Sequence, residues 1–199
     1  MPNQEQFVIW GSAGHAKVLS DIINTQGGTI IALFDNRNVP SAIPNVPLYV
    51  GQSGFEKWAM DFNYTSSVSA LVAIGGNSGR DRIAIQQLFT KFGINLPSIA
   101  HPSASISNNS CIGAGTQVLA QGVIAAGSTL GKACIVNHHA SVDHECTLGD
   151  GVHIAPGAVL CGCVTVGDFA FIGAGAVVLP RLTIGKEAII GAGAVVTKD

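Results

Sequence analysis

Every sixth residue from Ile106 to Val196 is Ile, Val or Leu. The series runs Ile106, Ile112, Val118, Ile124, Leu130, Val136, Val142, Leu148, Ile154, Leu160, Val166, Ile172, Val178, Ile184, Ile190, Val196, with no insertion. These three residues make up roughly one residue in four of an ordinary apolar-rich chain, so sixteen in succession is not chance. The position two before each is mostly small, from Ala104, Ser110 and Thr116 to Ala188 and Ala194; Val152, Val164 and Leu182 are the exceptions. Gly follows the aliphatic residue at Gly113, Gly131, Gly149, Gly167 and Gly185, eighteen residues apart. Three hexads therefore close one turn of a triangular solenoid, each supplying a short strand and a bend. Aliphatic side chains point inward and stack on neighbouring coils, while Gly and small residues relieve crowding at the bends. This predicts a parallel β-helix of just over five coils from about Ala104 to Asp199.

Composition narrows the class. Apolar residues make up 47% of the chain and charged residues 11%, a balance often met in membrane proteins. Gly, Ser, Asn and His interrupt every stretch before about 18 apolar residues accumulate. The opening Met1-Pro2-Asn3-Gln4-Glu5-Gln6 has no basic segment and no long apolar one, so no signal peptide and no membrane insertion are expected. A net charge of −2 without a basic cluster argues against nucleic acid. The five cysteines include Cys161-Gly162-Cys163, which is not a C-x-x-C motif. All five are read as reduced thiols packed as small hydrophobes in a cytoplasmic protein.

Residues 1–100 lack the six-residue period and form a separate domain from 101–199. Phe7–Trp10 reads as a buried strand, Gly11-Ser12-Ala13-Gly14-His15 as a turn into a helix reaching about Gln26, and Thr29–Phe34 as a second strand ending in Asp35-Asn36. Pro40, Pro44 and Pro47 mark a loop. Val68–Ile74 reads as a third strand leading through Gly75-Gly76-Asn77 into a helix from about Arg80 to Phe92. This βαβαβ alternation predicts a small Rossmann-like parallel sheet, whose ligands bind beyond the carboxyl ends of its strands. Gly11, Gly14 and His15 there can approach a phosphate at a helix N-terminus. Asp35, with Asn36 and Arg37 beside it, can meet a ribose or base, and Gly75 and Asn77 end the third strand. The spacing is not the full G-x-G-x-x-G, so a nicotinamide cofactor is not expected, and the glycines can equally be tight turns.

The hexad pattern, together with Gly11–His15, Ala73-Ile74-Gly75-Gly76-Asn77, Arg80 and His101-Pro102-Ser103-Ala104, resembles the hexapeptide-repeat sugar acyltransferases. That family includes the bacillosamine-pathway N-acetyltransferase and the sialic acid O-acetyltransferases, and the similarity covers nearly the whole chain. The resemblance implies a left-handed β-helix, a homotrimer, an N-terminal domain that holds a nucleotide-linked sugar, and acetyl-CoA as co-substrate with no metal. Family members continue past Val195–Asp199 into a short Gly-x-Pro-Ala tail near the CoA; this sequence stops at Asp199, which leaves contacts to the adenine end unassigned.

Polar residues are few among the hexads, and they cluster as Asn137-His138-His139, Asp143-His144-Glu145-Cys146 and His153. Acetyl transfer to an amine or hydroxyl needs a base for the acceptor proton and donors for the developing oxyanion. His144-Glu145 resembles the family's general base and the carboxylate that orients it. Asn137 and His153 match positions near the acetyl thioester; Gly162, eighteen after His144, is placed one coil away to offer its N–H. Gly173, Gly191 and Ala192 lie along the expected run of pantetheine. His138 and His139 receive no role. The expected reaction is transfer of acetyl to the 4-amino group of a nucleotide-linked, by preference UDP-linked, 4-amino-4,6-dideoxy sugar. Sugar O-acetylation, a zinc site of the β-helix carbonic anhydrase type using His139, His144 and His153, and a non-catalytic trimerising stalk are the alternatives.

Overall fold

A computed structural model describes residues 5–61 and 68–199; the reading of the first four residues lies outside the described residues. The chain divides into two compact units, Met1–Ile74 with Ala84–Pro97, and Gly75–Ile83 with Ser98–Asp199. By contacts, Gly75–Ile83 groups with the coils although it precedes residue 100 in sequence.

The first unit holds β1 (Gln6–Trp10), α1 (Gly14–Thr25), β2 (Thr29–Asp35), β3 (Leu48–Val50), α2 (Gly51–Asp61) and β4 (Val68–Val72); α3 (Gly79–Lys91) runs from the second unit into the first. Its four strands are parallel in the order β3-β2-β1-β4. The βαβαβ reading lacks β3 and α2. Three residues after Pro47 are too few to show a strand period, whereas α2 buries Phe55, Trp58 and Ala59 at helical spacing. Burial along its whole length makes β4 apolar except at Ser69, whose hydroxyl donates to Glu5 Oε1 at 2.8 Å. Trp10, Phe34, Phe55, Trp58 and Phe89 fill this unit's core, with Phe55 edge-on to Phe34 at 5.1 Å and to Phe89 at 5.2 Å. Each such side chain contributes roughly 1.5–3 kcal/mol by leaving water.

In the second unit, two-residue strands stack into three parallel sheets, each strand pairing with those eighteen residues away. One face runs from Ile99–Ala100 through Ile135–Val136 and His153–Ile154 to Ile189–Ile190. The next runs from Ser105–Ile106 through Ser141–Val142 to Val195–Val196, and the third from Cys111–Ile112 through Thr147–Leu148 to Thr183–Ile184. The stack thus starts at Ile99, earlier than Ala104, because Ala100 stands at an inward position and hides the period. Inward aliphatic residues from Val118 to Ile184 are at most 4% exposed. The small residues two before them belong to the same core: Cys134, Ala140, Cys146, Ala158, Ala170 and Ala176 are buried beside them, and Val152 and Val164 fill wider corners.

The bends have a conformation that composition does not show. Every sixth residue from Gly115 to Gly193 has positive φ, and eight of these are not glycine: Gln121, Ala133, His139, Glu145, Cys163, Phe169, Arg181 and Glu187. A left-handed residue with a Cβ costs roughly 1–2 kcal/mol. Seven of the eight are held by an N–H that donates to a carbonyl nineteen residues earlier, such as Glu145 to Ala126 at 2.9 Å and Cys163 to His144 at 2.8 Å, and the Gln121 N–H donates to Ser103 Oγ at 3.1 Å. The glycines at one corner answer a different need. A Cβ on Gly113, Gly131, Gly149 or Gly167 falls 2.5–2.7 Å from backbone atoms of the next coil, while Gly185 has open space.

Candidate functional site

Corner residues are displayed by the turns between faces. The turn at residues 143–146 leaves strand Ser141–Val142, and the turn at residues 137–140 enters it. These turns occupy opposite ends of one face, and so the polar residues fall into two separate clusters.

At the corner of residues 143–146, the His144 backbone N–H donates to Asp143 Oδ1 at 2.7 Å, which fixes the residue's start. The His144 Nδ1 lies 3.2 Å from Glu145 Oε2. A proton on Nδ1 donated to that carboxylate leaves Nε2 with its lone pair. The ring lies over Gly162: a Cβ there meets Cε1 at 2.6 Å and Cδ2 at 3.0 Å, with Nε2 nearer still. Only glycine admits the imidazole in this place. Among the described residues no acceptor takes the Gly162 N–H. His144 is about half exposed, its side chain at 53%. Cys146, next in sequence, points into the core; burial raises its thiol pKa, and its Sγ lies 3.2 Å from the Cys161 carbonyl. It is not placed as a nucleophile.

The second cluster gathers at residues 137–140. Asn137 Oδ1 accepts from the His138 N–H at 2.8 Å and lies 2.9 Å from His138 Nδ1. Asn137 Nδ2 lies 3.1 Å from His153 Nε2, and His153 Nδ1 lies 3.0 Å from the Gly76 carbonyl. The network assigns protons on both Nδ1 atoms, so the His153 Nε2 lone pair is already occupied by Asn137. His153 is 5% exposed and edge-on to Phe171 at 5.2 Å. It orients Asn137 and is not a free base. Gly173 and Gly191 follow Asn137 in the same column at eighteen-residue steps, with Ala192 beside Gly191. A Cβ on Gly173 meets Ala192 N at 2.6 Å, whereas Gly191 has open space.

Two contributors lack a sequence signal. His138, given no role above, fixes the Asn137 amide. Arg82, 1% exposed, donates from Nε to the Ala133 carbonyl at 2.9 Å and from Nη2 to that of Gly151 at 2.6 Å; its Nη1 lies 3.5 Å from Gly76 O. Burial lowers its pKa to about 10. It pins the Gly76 carbonyl that orients His153. A lone arginine among the helix's other charges carries no periodicity that reveals this. Gly75 and Asn77 belong to this second unit, not to the Gly11 loop's unit. Asn77 lines a recess of about 300 Å³ with Ser78, Arg80, Phe169 and Glu187. Arg80 pairs with Glu187 and lies 4.8 Å over the Phe169 ring.

In the first unit, Gly11 has φ +115°, and a Cβ there falls 3.0 Å from the Ala73 carbonyl carbon, its oxygen nearer. Its N–H donates to the Phe34 carbonyl at 2.6 Å. Backbone crowding requires this glycine whatever binds nearby. Gly14 begins α1, whose N-cap Ala13 offers no side-chain cap, and His15 is half-buried. Asp35 differs from the expectation of an open acceptor. Its Oδ2 accepts from Ser12 N–H at 2.9 Å and Arg37 Nη2 at 3.1 Å; its Oδ1 accepts from Arg37 N–H at 2.9 Å and Nε at 3.0 Å. These four bonds fill both oxygens. Burial opposes ionisation of Asp35, but the Arg37 side chain and the Arg37 and Ser12 N–H groups outweigh it and hold its pKa below 3.8. Asn36 is exposed. Ser12 Oγ in turn accepts from Ala42 N–H at 2.9 Å and donates to the Pro40 carbonyl at 3.2 Å, which ties down the proline loop.

All five cysteines are free thiols. Cys134 and Cys146 pack as small core residues as expected, and burial pushes the Cys134 thiol up to about 11. Cys111 is exposed and Cys161 and Cys163 are half-buried, because they fall at outward or corner phases. Among the described residues no helix is long and apolar enough to cross a membrane.

Residues 6–86 match the PglD N-terminal domain family, and residues 163–198 match the bacterial transferase hexapeptide family. The acetyltransferase domain of PglB from Neisseria gonorrhoeae is 32% identical with a TM-score of 0.87, over 98% of this chain and 93% of that one. Its complex with acetyl coenzyme A matches equally well, at 33% identity and TM-score 0.87, over 99% and 93%. A mutant perosamine N-acetyltransferase from Caulobacter crescentus, in complex with CoA and GDP-perosamine, is 35% identical with a TM-score of 0.88, over 98% and 89%. Coils and N-terminal unit together define the class, a hexapeptide-repeat transferase with a PglD-type domain. The chain belongs to the acetyl-CoA-dependent sugar N-acetyltransferase family that includes these proteins.

Proposed function

We propose that the protein transfers acetyl from acetyl-CoA to the 4-amino group of a nucleotide-linked 4-amino-4,6-dideoxy sugar, with His144 as general base. The observation that carries this is the His144 ring, held by Glu145 on Nδ1 and laid over Gly162. The amine attacks the thioester carbonyl while Nε2 removes its proton. Gly162 N–H donates to the developing oxyanion, and the carbon–sulfur bond breaks to release coenzyme A. The carboxylate of Glu145 keeps the tautomer and favours the imidazolium. No covalent acyl-enzyme is needed.

The acetyl-CoA groups split between corners, and this supports a homotrimer. His144 and Gly162 stand at one corner; Asn137, His153, Gly173, Gly191 and Ala192 stand at or beside the other. A cyclic, head-to-tail contact sets the first corner of one copy against the second corner of the next. Pantetheine then runs between copies. The first unit takes the nucleotide: the uncapped start of α1 suits its phosphates, and Asp35 shapes the surrounding loop through Ser12 and Arg37. Substrates made inside the cell and five free thiols support a cytoplasmic location.

The nucleotide is taken to be UDP. GDP is the second reading, favoured by the GDP-perosamine complex of the Caulobacter protein. A panel of UDP- and GDP-linked 4-amino sugars, with sialic acid as an O-acceptor, assayed for thiol release from acetyl-CoA tests the proposal. Release with a 4-amino sugar nucleotide and none with its N-acetylated form is expected. Turnover of sialic acid alone refutes N-acetylation.

A further inference from the structure

The column of left-handed residues at the His144 corner runs Gly127, Glu145, Cys163, Arg181, eighteen residues apart. Gly127 leaves room below Glu145, whose Cγ lies 3.3 Å from where a Cβ would stand. Cys163 is stacked directly after it, with Sγ 3.6 Å from Glu145 Oε2. The ligating atoms of His144, Glu145 and Cys163 all lie within 4.8 Å of one another. From these juxtaposed side chains we propose that His144, Glu145 and Cys163 form a site for a divalent cation of the zinc type, which inhibits the transferase without being its cofactor.

Two of the three ligand–ligand edges match such an ion, and the third, from His144 to Cys163, lies within 4.8 Å. Zinc–ligand distances of about 2.0 Å to nitrogen and oxygen and 2.3 Å to sulfur give tetrahedral edges of about 3.3 Å for N–O and 3.5 Å for S–O. The corresponding separations are 3.2 Å for His144 Nδ1 to Glu145 Oε2 and 3.6 Å for Cys163 Sγ to the same oxygen. Imidazole, carboxylate and thiolate are a borderline-soft donor set suited to zinc rather than to magnesium or calcium. Side-chain exposures of 53% for His144 and 70% for Glu145 in the single chain leave a fourth position open on the side where pantetheine is proposed to run. Arg181 Nη1 lies 3.9 Å from the sulfur and acts as an outer partner to the thiolate. Cys163 binds after losing its proton to solvent.

The inhibitory step is a change of tautomer, and it rests on the reading of His144 as base. With Nδ1 given to the metal, a neutral imidazole carries its one proton on Nε2. That nitrogen then has no lone pair for the attacking amine. Glu145, drawn to the ion, no longer holds the proton on Nδ1.

Cobalt is the spectroscopic probe and zinc the inhibitor. The full-length protein, titrated with Co²⁺, is expected to show thiolate-to-cobalt charge-transfer absorption saturating at one ion per chain, displaced by Zn²⁺. Cys163→Ser should abolish that band, keep its acetyl transfer rate, and lose zinc sensitivity by more than the roughly 10–100-fold that loss of an outer-shell partner costs. Cys161→Ser should keep both band and sensitivity. Cobalt uptake without thiolate absorption, no uptake, or a Cys163→Ser protein that retains the band overturns the site. Zinc that binds with the Cys163-dependent signature yet leaves transfer unchanged overturns the inhibitory role of the site, while the rate of His144→Ala without metal tests the base separately.

Discussion

Replacing Gly162 by Ala separates the position of the base from the stability of the coils. The added Cβ falls 2.6 Å from Cε1 of the His144 ring and 3.0 Å from Cδ2, well inside van der Waals contact. The backbone at Gly162 is not left-handed, so alanine itself is tolerated there. What must give is the ring, the far end of a half-exposed side chain that can swing into water. Unfolding stability should then change by less than about 1 kcal/mol. The ring loses Glu145 and moves by an ångström or more, a misplacement worth on the order of 10²-fold in kcat. Gly131→Ala is the control: its Cβ meets the backbone of Gly149 and Asp150 at 2.7 Å, which cannot swing away. It should cost about 1–3 kcal/mol, seen as a fall in Tm of roughly 2–10 °C, with kcat per folded chain preserved. Thiol-release kinetics at saturating substrates and a thermal melt read both variants. If Gly162→Ala keeps kcat within a few-fold of wild type, the ring's seat over Gly162 is not what positions the base, and the chemistry assigned to this corner falls with it.

His144→Ala should lose about 10²–10⁴ in kcat with little change in acetyl-CoA binding, and Glu145→Ala less, since it orients the ring; a folded His144→Ala protein that binds both substrates and turns over within a few-fold of wild type would show that His144 does not act as the base. Mixed trimers test the shared site: His144→Ala and Asn137→Ala/His153→Ala chains, unfolded together and refolded one to one, should regain about a quarter of wild-type activity, because half the sites receive an intact first corner and half of those an intact second corner. Regain of nothing, or a stable active monomer by light scattering, rules out sites between copies. Asp35→Ala should raise KM for the sugar nucleotide and leave that for acetyl-CoA almost unchanged; the opposite pattern means the two substrates are assigned to the wrong units. Because the folded Asp35 pKa lies below 3.8, its ionised form stabilises the loop above that pH and the contribution is lost as pH falls through the folded value. The Tm gap between wild type and Asp35→Asn should therefore be full at pH 7 and close toward pH 3; a gap independent of pH refutes the electrostatic account.

The β-helix was readable because one backbone conformation repeats without interruption, so inward aliphatics recur at a fixed interval from Ile106 to Val196. Its first strand was not, since Ala100 is too small to mark the period. The βαβ skeleton was readable from runs such as Val68–Val72, while β3 is too short to show a pattern. Gly162 was placed beside His144 by counting eighteen, because stacking converts sequence distance into vertical distance. Relations that depend on side-chain direction were not readable: the filled oxygens of Asp35, the occupied Nε2 of His153, and the reach of Arg82 to three carbonyls. Spacing alone also joined His144 to Asn137, seven residues apart, although a face of the helix separates them.

The left-handed corners turn local misfit into information. At each of them the backbone prefers glycine, and six of the corners from Gly115 to Gly193 comply. The other eight hold a side chain against that preference, and the stacked amide bonds offset the strain whichever residue is present. A bulky residue at such a corner is therefore not there to make the turn. Four of these side chains make contacts outward from the bend: Glu145 reaches His144, Cys163 reaches Glu145, Arg181 reaches Cys163, and Phe169 lies under Arg80. Along the column of Glu145, Cys163 and Arg181, the residues least suited to the backbone form one connected row of side chains on the outside of the coils.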